Sequence, residues 1–156
     1  MEKLKSKLKS KSKWNVNEKF CFCALVLVLA NSAGKKYGDI MENRWKIDLP
    51  IPEGVKEIIV KDLHDINDVV ANVDFVFSAV DMTKEEIMAI EEDYAKTETP
   101  VVSNNSAHRW TDDVPMVIPE INPEHFGVIE SQKKRLGTKN GFIAVKPNCS
   151  IQSYAH

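Results

Sequence analysis

One stretch constrains this chain more than any other: Val73-Asp-Phe-Val-Phe-Ser-Ala-Val80, followed almost at once by Thr83-Lys-Glu-Glu86. The first segment is dense in β-branched and aromatic residues, which suit a pleated, buried strand. The second is a capping box. Its Thr hydroxyl and Glu carboxylate satisfy the free N–H groups of a helix's first turn. Ile87, Ile90 and Tyr94 then recur at helical spacing and give that helix one apolar face. Residues 100–103 read as the next strand. Strand, helix and strand in this order are the unit of a parallel sheet.

The remaining segments continue the alternation. Residues 24–30 read as a strand with no polar face and 57–61 as a further strand. Residues 31–54 read as polar and irregular, with Gly34, Gly38, Pro50, Pro52 and Gly54 as breakers. Residues 65–70 suit a short helix, and 115–118 a short strand. Asn122-Pro123 is expected to cap a helix running to about Leu136. Phe126, Ile129 and Leu136 would face inward there, with Lys133, Lys134 and Arg135 at the C-terminal end, where the dipole favours cations. Residues 142–145 read as a buried strand. The fold class is therefore α/β: a Rossmann-like parallel sheet with flanking helices. No internal repeat is visible.

Charge is distributed unevenly. Residues 1–19 carry seven lysines and two glutamates, whereas the rest carries 14 basic and 21 acidic groups. An acidic body does not offer a nucleic-acid surface. The apolar run at 20–30 is eleven residues long, too short for a membrane-spanning helix, which needs about 20. A basic stretch, an apolar run and small residues near Ala30 and Ser32 also fit a signal peptide; the other reading is a buried strand behind a Lys/Ser-rich segment. The three cysteines make no paired framework. Cys21-Phe-Cys23 lacks a second ligand pair, and both read as small core residues.

Three segments carry chemistry. In Lys146-Pro-Asn-Cys149-Ser, a thiol follows a strand and a turn at the start of an expected helix. There, backbone N–H groups and the dipole favour the anionic, nucleophilic form of a thiol. A buried, inert cysteine is the alternative. Ser32-Ala-Gly-Lys-Lys-Tyr-Gly38 sets a glycine and two lysines in a loop after a strand, suited to a phosphate. It lacks G-x-G-x-x-G spacing and also reads as a solvated turn. Ser103-Asn-Asn-Ser-Ala-His-Arg-Trp110 is dense in donors, and Arg109 is either an anion clamp or an exposed loop arginine. His108 and His125 are candidate bases for Cys149, although both also read as solvated surface residues.

Taken in order, SAGKKYGD (32–39), VDFVFSAV (73–80), VVSNNSAHRW and TDDVPMVIPEIN (101–122) and KPNCSIQSY (146–154) resemble aspartate-semialdehyde dehydrogenase of the archaeal and fungal-type branch. The resemblance covers about residues 31–156. It implies an NADPH-dependent enzyme that reduces L-4-aspartyl phosphate to aspartate 4-semialdehyde through a cysteine thioacyl intermediate, toward lysine, threonine and methionine. NADPH-dependent malonyl-CoA reductases share this chemistry, and the PNC motif does not separate the two. A third reading is a secreted or non-catalytic binding chain.

By resemblance, Cys149 is the nucleophile and Asn148 its neighbour in the oxyanion environment. Arg109 binds the substrate phosphate. Ser32, Gly34 and Lys35 lie near the NADP 2′-phosphate, with Ser78, Ala79, Asn104 and Asn105 beside the cofactor. No metal is implied, nor a nucleic-acid or membrane partner. The family setting is cytoplasmic and homo-oligomeric. Two departures are expected: the family's glycine-rich loop has no counterpart before residue 31, and the substrate domain that follows the PNCS motif in the family is lacking. Residues 1–23 thus read as an atypical Lys/Ser-rich segment, and 24–156 as a partial NAD(P)-binding domain without turnover by itself and without most of the dimer interface.

Overall fold

The structure is a computed structural model that describes residues 32–153. The expected strand at 24–30, with Cys21 and Cys23, lies outside the described residues. Three short strands, β1 (Val76–Ser78), β2 (Val101–Ser103) and β3 (Ile143–Val145), form a parallel sheet in the order β1-β2-β3. Val76, Val101 and Ile143 are in register, as are Ser78, Ser103 and Val145. These two rows point into the molecule. The intervening row, Phe77 and Val102, lies on the opposite face, with Phe77 74% exposed.

Among the described residues, five α-helices accompany the sheet: α1 (Tyr37–Met41), α2 (Glu53–Lys56), α3 (Ile66–Val70), α4 (Lys84–Lys96) and α5 (Ile129–Leu136). The capping box forms as the sequence predicts. Glu86 N–H donates to Thr83 Oγ1 at 3.3 Å, and Thr83 N–H donates to Glu86 Oε2 at 3.0 Å. Ile87, Ile90 and Tyr94 are buried, so α4 presents the predicted apolar face to the sheet. Tyr94 crosses the core cluster of Leu63, Val69, Val101 and Ile143, and its hydroxyl donates to the Leu63 carbonyl at 2.9 Å. Burial, assisted by Asp62 and Asp65, pushes the Tyr94 phenol up to about 12.

Several expectations are corrected. Among the described residues, 57–61 make isolated bridges rather than a continuous strand, Ile59 pairing antiparallel with Lys36. The segment from Tyr37 to Lys56 contains α1 and α2 rather than only irregular chain. Met116 makes an isolated parallel bridge to Val145, not a strand. The helix after Asn122 begins as a 3-10 helix (Pro123–Val128) and becomes α-helical only over α5. Asn122 does not cap it. Its Oδ1 accepts from Ile118 N–H at 2.8 Å and its Nδ2 donates to the Met116 carbonyl at 3.1 Å, so it staples the preceding loop. Phe126, expected inward, is 40% exposed, and the side chain that α5 buries fully is Gln132. Gln132 Oε1 accepts from Ile143 N–H at 2.6 Å and Nε2 donates to the Ile143 carbonyl at 3.0 Å. An amide thereby satisfies backbone groups of β3 that would otherwise be buried without partners. Gly137 ends α5 in the left-handed region, φ +72°. Arg135 ties α5 to α4, reaching Glu92 at 2.5 Å and Asp113 at 2.6 Å.

Candidate active site

The C-terminal ends of the three strands gather most of the residues singled out above. β2 runs straight into the Asn104-Asn105 loop, which hydrogen bonds fix to β1. Asn104 N–H donates to the Ser78 carbonyl at 2.8 Å, and Asn105 Nδ2 donates to Ser78 Oγ at 3.1 Å. The same Nδ2 lies 3.2 Å from Glu91 Oε1, which also accepts from Ser103 Oγ at 2.7 Å. Ser103 Oγ in turn accepts from Asn105 N–H at 3.1 Å. The Asn105 amide N–H₂ thus turns inward, whereas Asn104 and Ala79 are exposed at the strand ends.

The loop then tightens into a 3-10 turn, Ala107–Trp110. This turn sends His108 into the interior and Arg109 across to the chain leaving β3. Arg109 Nε donates to the Lys146 carbonyl at 3.3 Å, and its Nη2 makes a longer contact to the Pro147 carbonyl at 3.5 Å. Lys146 N–H donates back to the Ser103 carbonyl at 3.0 Å. Cys149 follows two residues beyond Pro147 and is exposed, which excludes the buried, inert alternative. The segment Cys149–Ser153 is a 3-10 helix rather than the α-helical turns expected. Asn148 opens it: its Oδ1 accepts from Ser150 N–H at 3.0 Å and from Ser150 Oγ at 3.1 Å, with the Cys149 thiol at 3.5 Å. The Asn148 side chain therefore holds the turn that presents the thiol.

Neither histidine engages Cys149. His108, expected at the surface, is fully buried, and its Nδ1 lies 3.2 Å from Thr111 Oγ1. His125 is partly buried, with Nδ1 donating to the Met116 carbonyl at 3.2 Å. The Ser32-to-Lys35 turn is held by a different segment. Gly34 N–H donates to the Val60 carbonyl at 2.8 Å and Val60 N–H donates to the Lys35 carbonyl at 2.9 Å. Gly34 takes φ +81°, a conformation that favours glycine. Lys36 is engaged by Glu57 at 2.6 Å, while Lys35 is exposed.

The buried polar residues Glu91, Thr99 and Gln132 escaped the sequence reading. The signal for Glu91 was present: it sits among Ile87, Ile90 and Tyr94 on the apolar stripe of α4, where a carboxylate has no place unless it is bonded. No group of three or more metal-ligating side chains occurs among the described residues. Nor is any helix among them long and apolar enough to cross a membrane.

The model for "Semialdehyde dehydrogenase, NAD binding domain" matches residues 16–129. The chain belongs to this family. As a member of the semialdehyde dehydrogenases, it is 40% identical over 119 residues to an aspartate-semialdehyde dehydrogenase of Archaeoglobus fulgidus, covering 75% of this chain and 32% of that protein. It is 37% identical over 124 residues to a malonyl-CoA reductase (NADP) of Metallosphaera sedula, covering 80% and 33%. The crystal structure of the aspartate-semialdehyde dehydrogenase of Candida albicans with NADP superposes with a TM-score of 0.65 at 33% identity, covering 81% of this chain and 36% of that one. The chain thus spans about a third of the length of the curated relatives it matches. The expected Rossmann-like fold and the semialdehyde dehydrogenase resemblance both hold.

Proposed function

We propose that this chain is the cofactor-binding and nucleophile-bearing part of an NADP-dependent aspartate-semialdehyde dehydrogenase, with Cys149 as nucleophile. The observation that carries the reading is the contact of Arg109 with the Lys146 and Pro147 carbonyls. It ties a guanidinium fork to the turn on which, two residues past Pro147, an exposed thiol sits. A carbonyl electrophile bearing a phosphate needs that pair: a cation for the phosphate and a sulfur for the carbon.

In the reductive direction, the Cys149 thiolate attacks the acyl carbon of aspartyl phosphate. The C–S bond forms, the C–O bond to phosphorus breaks, and phosphate leaves under Arg109. NADPH, held at the strand ends, would supply the hydride that reduces the resulting thioester. The thiohemiacetal then collapses to the aldehyde and frees the thiolate. Asn148 keeps the Cys149 turn in place and lends its amide to the oxyanion environment.

The donors present suit the cofactor. Exposed Lys35 on the Gly34 turn offers a cation for the 2′-phosphate, with Ser32 beside it. Ala79 and Asn104 are exposed at the strand ends, where open parallel sheets bind nucleotides, and Ser78 and Asn105 form the bonded layer behind them. The tie between the Gly34 turn and residue 60 orients Lys35 without consuming its ammonium group.

Calorimetric titration with NADP and NAD tests the binding half. NADP should bind more tightly than NAD, and Lys35→Ala should erase most of that preference. Mass spectrometry after mixing with aspartate semialdehyde and NADP tests the chemical half. An acyl adduct on Cys149, with up to one equivalent of NADPH formed, supports the reading; no NADP binding and no adduct overturn it. The similarity to a malonyl-CoA reductase favours one second reading, in which the acyl donor is a CoA thioester. Acylation of Cys149 by malonyl-CoA, and not from aspartate semialdehyde with NADP, would select it.

A further inference from the structure

Glu91 lies on the sheet-facing side of α4 and is 2% exposed; His108 lies on the loop after β2 and is fully buried. Their Oε2 and Nε2 atoms face each other at 4.0 Å, and neither has another partner among the described residues. The other carboxylate oxygen, Oε1, takes protons from Ser103 Oγ and Asn105 Nδ2. The far side of the imidazole meets Thr111 Oγ1. One buried carboxylate thus touches both ends of the segment that carries Asn105 and Arg109.

A leucine at position 91 would pack with Ile87, Ile90 and Tyr94 and would spare the desolvation of a charge. A carboxylate at that place is explained by what it holds rather than by core packing. We propose that Glu91 and His108 are a buried positioning pair that fixes the loop of residues 104–110 and so aims Arg109 at the chain carrying Cys149. Without the pair, Ser103 and Asn105 lose their common acceptor and His108 loses the carboxylate it faces, and the loop opens on its own while the sheet stays closed. The value of this placement to catalysis rests on the proposed role of Arg109; the placement itself does not.

The test is amide hydrogen exchange of the full chain in three forms. Glu91→Leu removes the acceptor. Glu91→Gln keeps an amide oxygen for Ser103 and Asn105 and turns an N–H₂ toward His108, whose other tautomer accepts it. Glu91→Leu should speed exchange of amides 104–111 by about tenfold or more relative to those of α4 and β2, the scale of one lost bond to a charged group. Glu91→Gln should stay within about threefold of the parent, since it restores the network. Equal effects of the two substitutions, or an increase spread evenly over α4 and the sheet, would overturn the proposal by reducing Glu91 to a core residue. Should Glu91→Leu not fold, Asn105→Ala removes the loop's own donor from a half-buried position. It should give the same loop-confined increase, and an unchanged loop would overturn the proposal. Loss of NADP binding or of the Cys149 adduct in the parent chain would defeat the proposed activity and leave these exchange rates fully readable.

Discussion

Arg109 Nε donates to the carbonyl of Lys146 across 3.3 Å, joining the loop after β2 to the turn after β3. This bond relates two segments that are 37 residues apart in sequence and that carry, respectively, the candidate anion clamp and the candidate nucleophile. Arg109 does not spend its whole fork on it. Nη1 makes no hydrogen bond among the described residues, and the side chain is only half-buried. The guanidinium is therefore oriented by backbone carbonyls yet keeps donors for an incoming oxyanion.

Arg109→Ala should uncouple anion binding from the thiol. In the parent chain, inorganic phosphate should slow alkylation of Cys149 by iodoacetamide, because an anion on Arg109 would sit against the turn that carries the sulfur. In Arg109→Ala that protection should need about tenfold more phosphate, the equivalent of one lost charge-assisted bond. Arg109→Lys should fall between, since it keeps the charge and loses the fork. Equal protection in all three proteins would remove Arg109 from the site.

Part of this arrangement was legible in the sequence and part was not. The β1-α4-β2 unit could be read because its signals are local: β-branched residues, a capping box, and a stripe at Ile87, Ile90 and Tyr94. The 3-10 character of Pro123–Val128 and Cys149–Ser153 could not. It depends on where Asn122 and Asn148 send their side chains, which tertiary partners decide. The burial of His108 is hidden for a related reason. A polar residue in a donor-rich loop reads as solvated until the turn at Ala107–Trp110 is known to point it inward. The pairing of Arg109 with Lys146 had no local signal at all, since loop-to-loop contacts leave no periodicity.

Gly141 should be irreplaceable where Gly127 is not. A Cβ on Gly141 would lie 1.8 Å from the Ala95 carbonyl oxygen, backbone against backbone, whereas one on Gly127 would meet nothing within 4 Å. Gly141→Ala must push the entry of β3 away from the end of α4, at a cost of about 3 kcal/mol or more. Gly127→Ala should change stability by less than about 1 kcal/mol. Urea unfolding followed by circular dichroism compares them. Equal midpoints would show that the α4–β3 approach is looser than the structure has it.

The cap of α4 gives a smaller effect. Thr83→Ala removes the acceptor for Glu86 N–H and should cost about 1 kcal/mol. Thr83→Ser keeps the hydroxyl and should cost a few tenths at most. The same unfolding measurement applies, and a Ser variant as damaged as the Ala variant would mean that the methyl group, not the hydroxyl, matters.

Glu98 makes acid sensitivity a test of the turn before β3. Its carboxylate accepts from the backbone N–H groups of Asn140, Lys139 and Gly141, at 2.6, 2.9 and 3.3 Å. These bonds, the one from Asn140 foremost, hold its pKa below the ordinary 4.5, against the opposing effect of burial. The residue itself sits at φ +67°, a strained conformation for a side chain of its kind, so the carboxylate must repay its own backbone. A carboxyl whose folded-state pKa is depressed binds fewer protons folded than unfolded near that pH. Its stabilisation is thus fully present above about 4.5 and is lost as the pH falls through the lower folded value. Glu86, lowered in the same direction by Thr83, adds to the slope. Glu98→Gln keeps an acceptor oxygen and removes the titration. Its stability should be lower than the parent's at pH 7, and the difference should shrink as the pH is taken from 5 to 3. Chemical unfolding at a series of pH values across that range reads the difference directly. A gap between parent and variant that stays constant with pH would show that the charge of Glu98 contributes nothing beyond its shape.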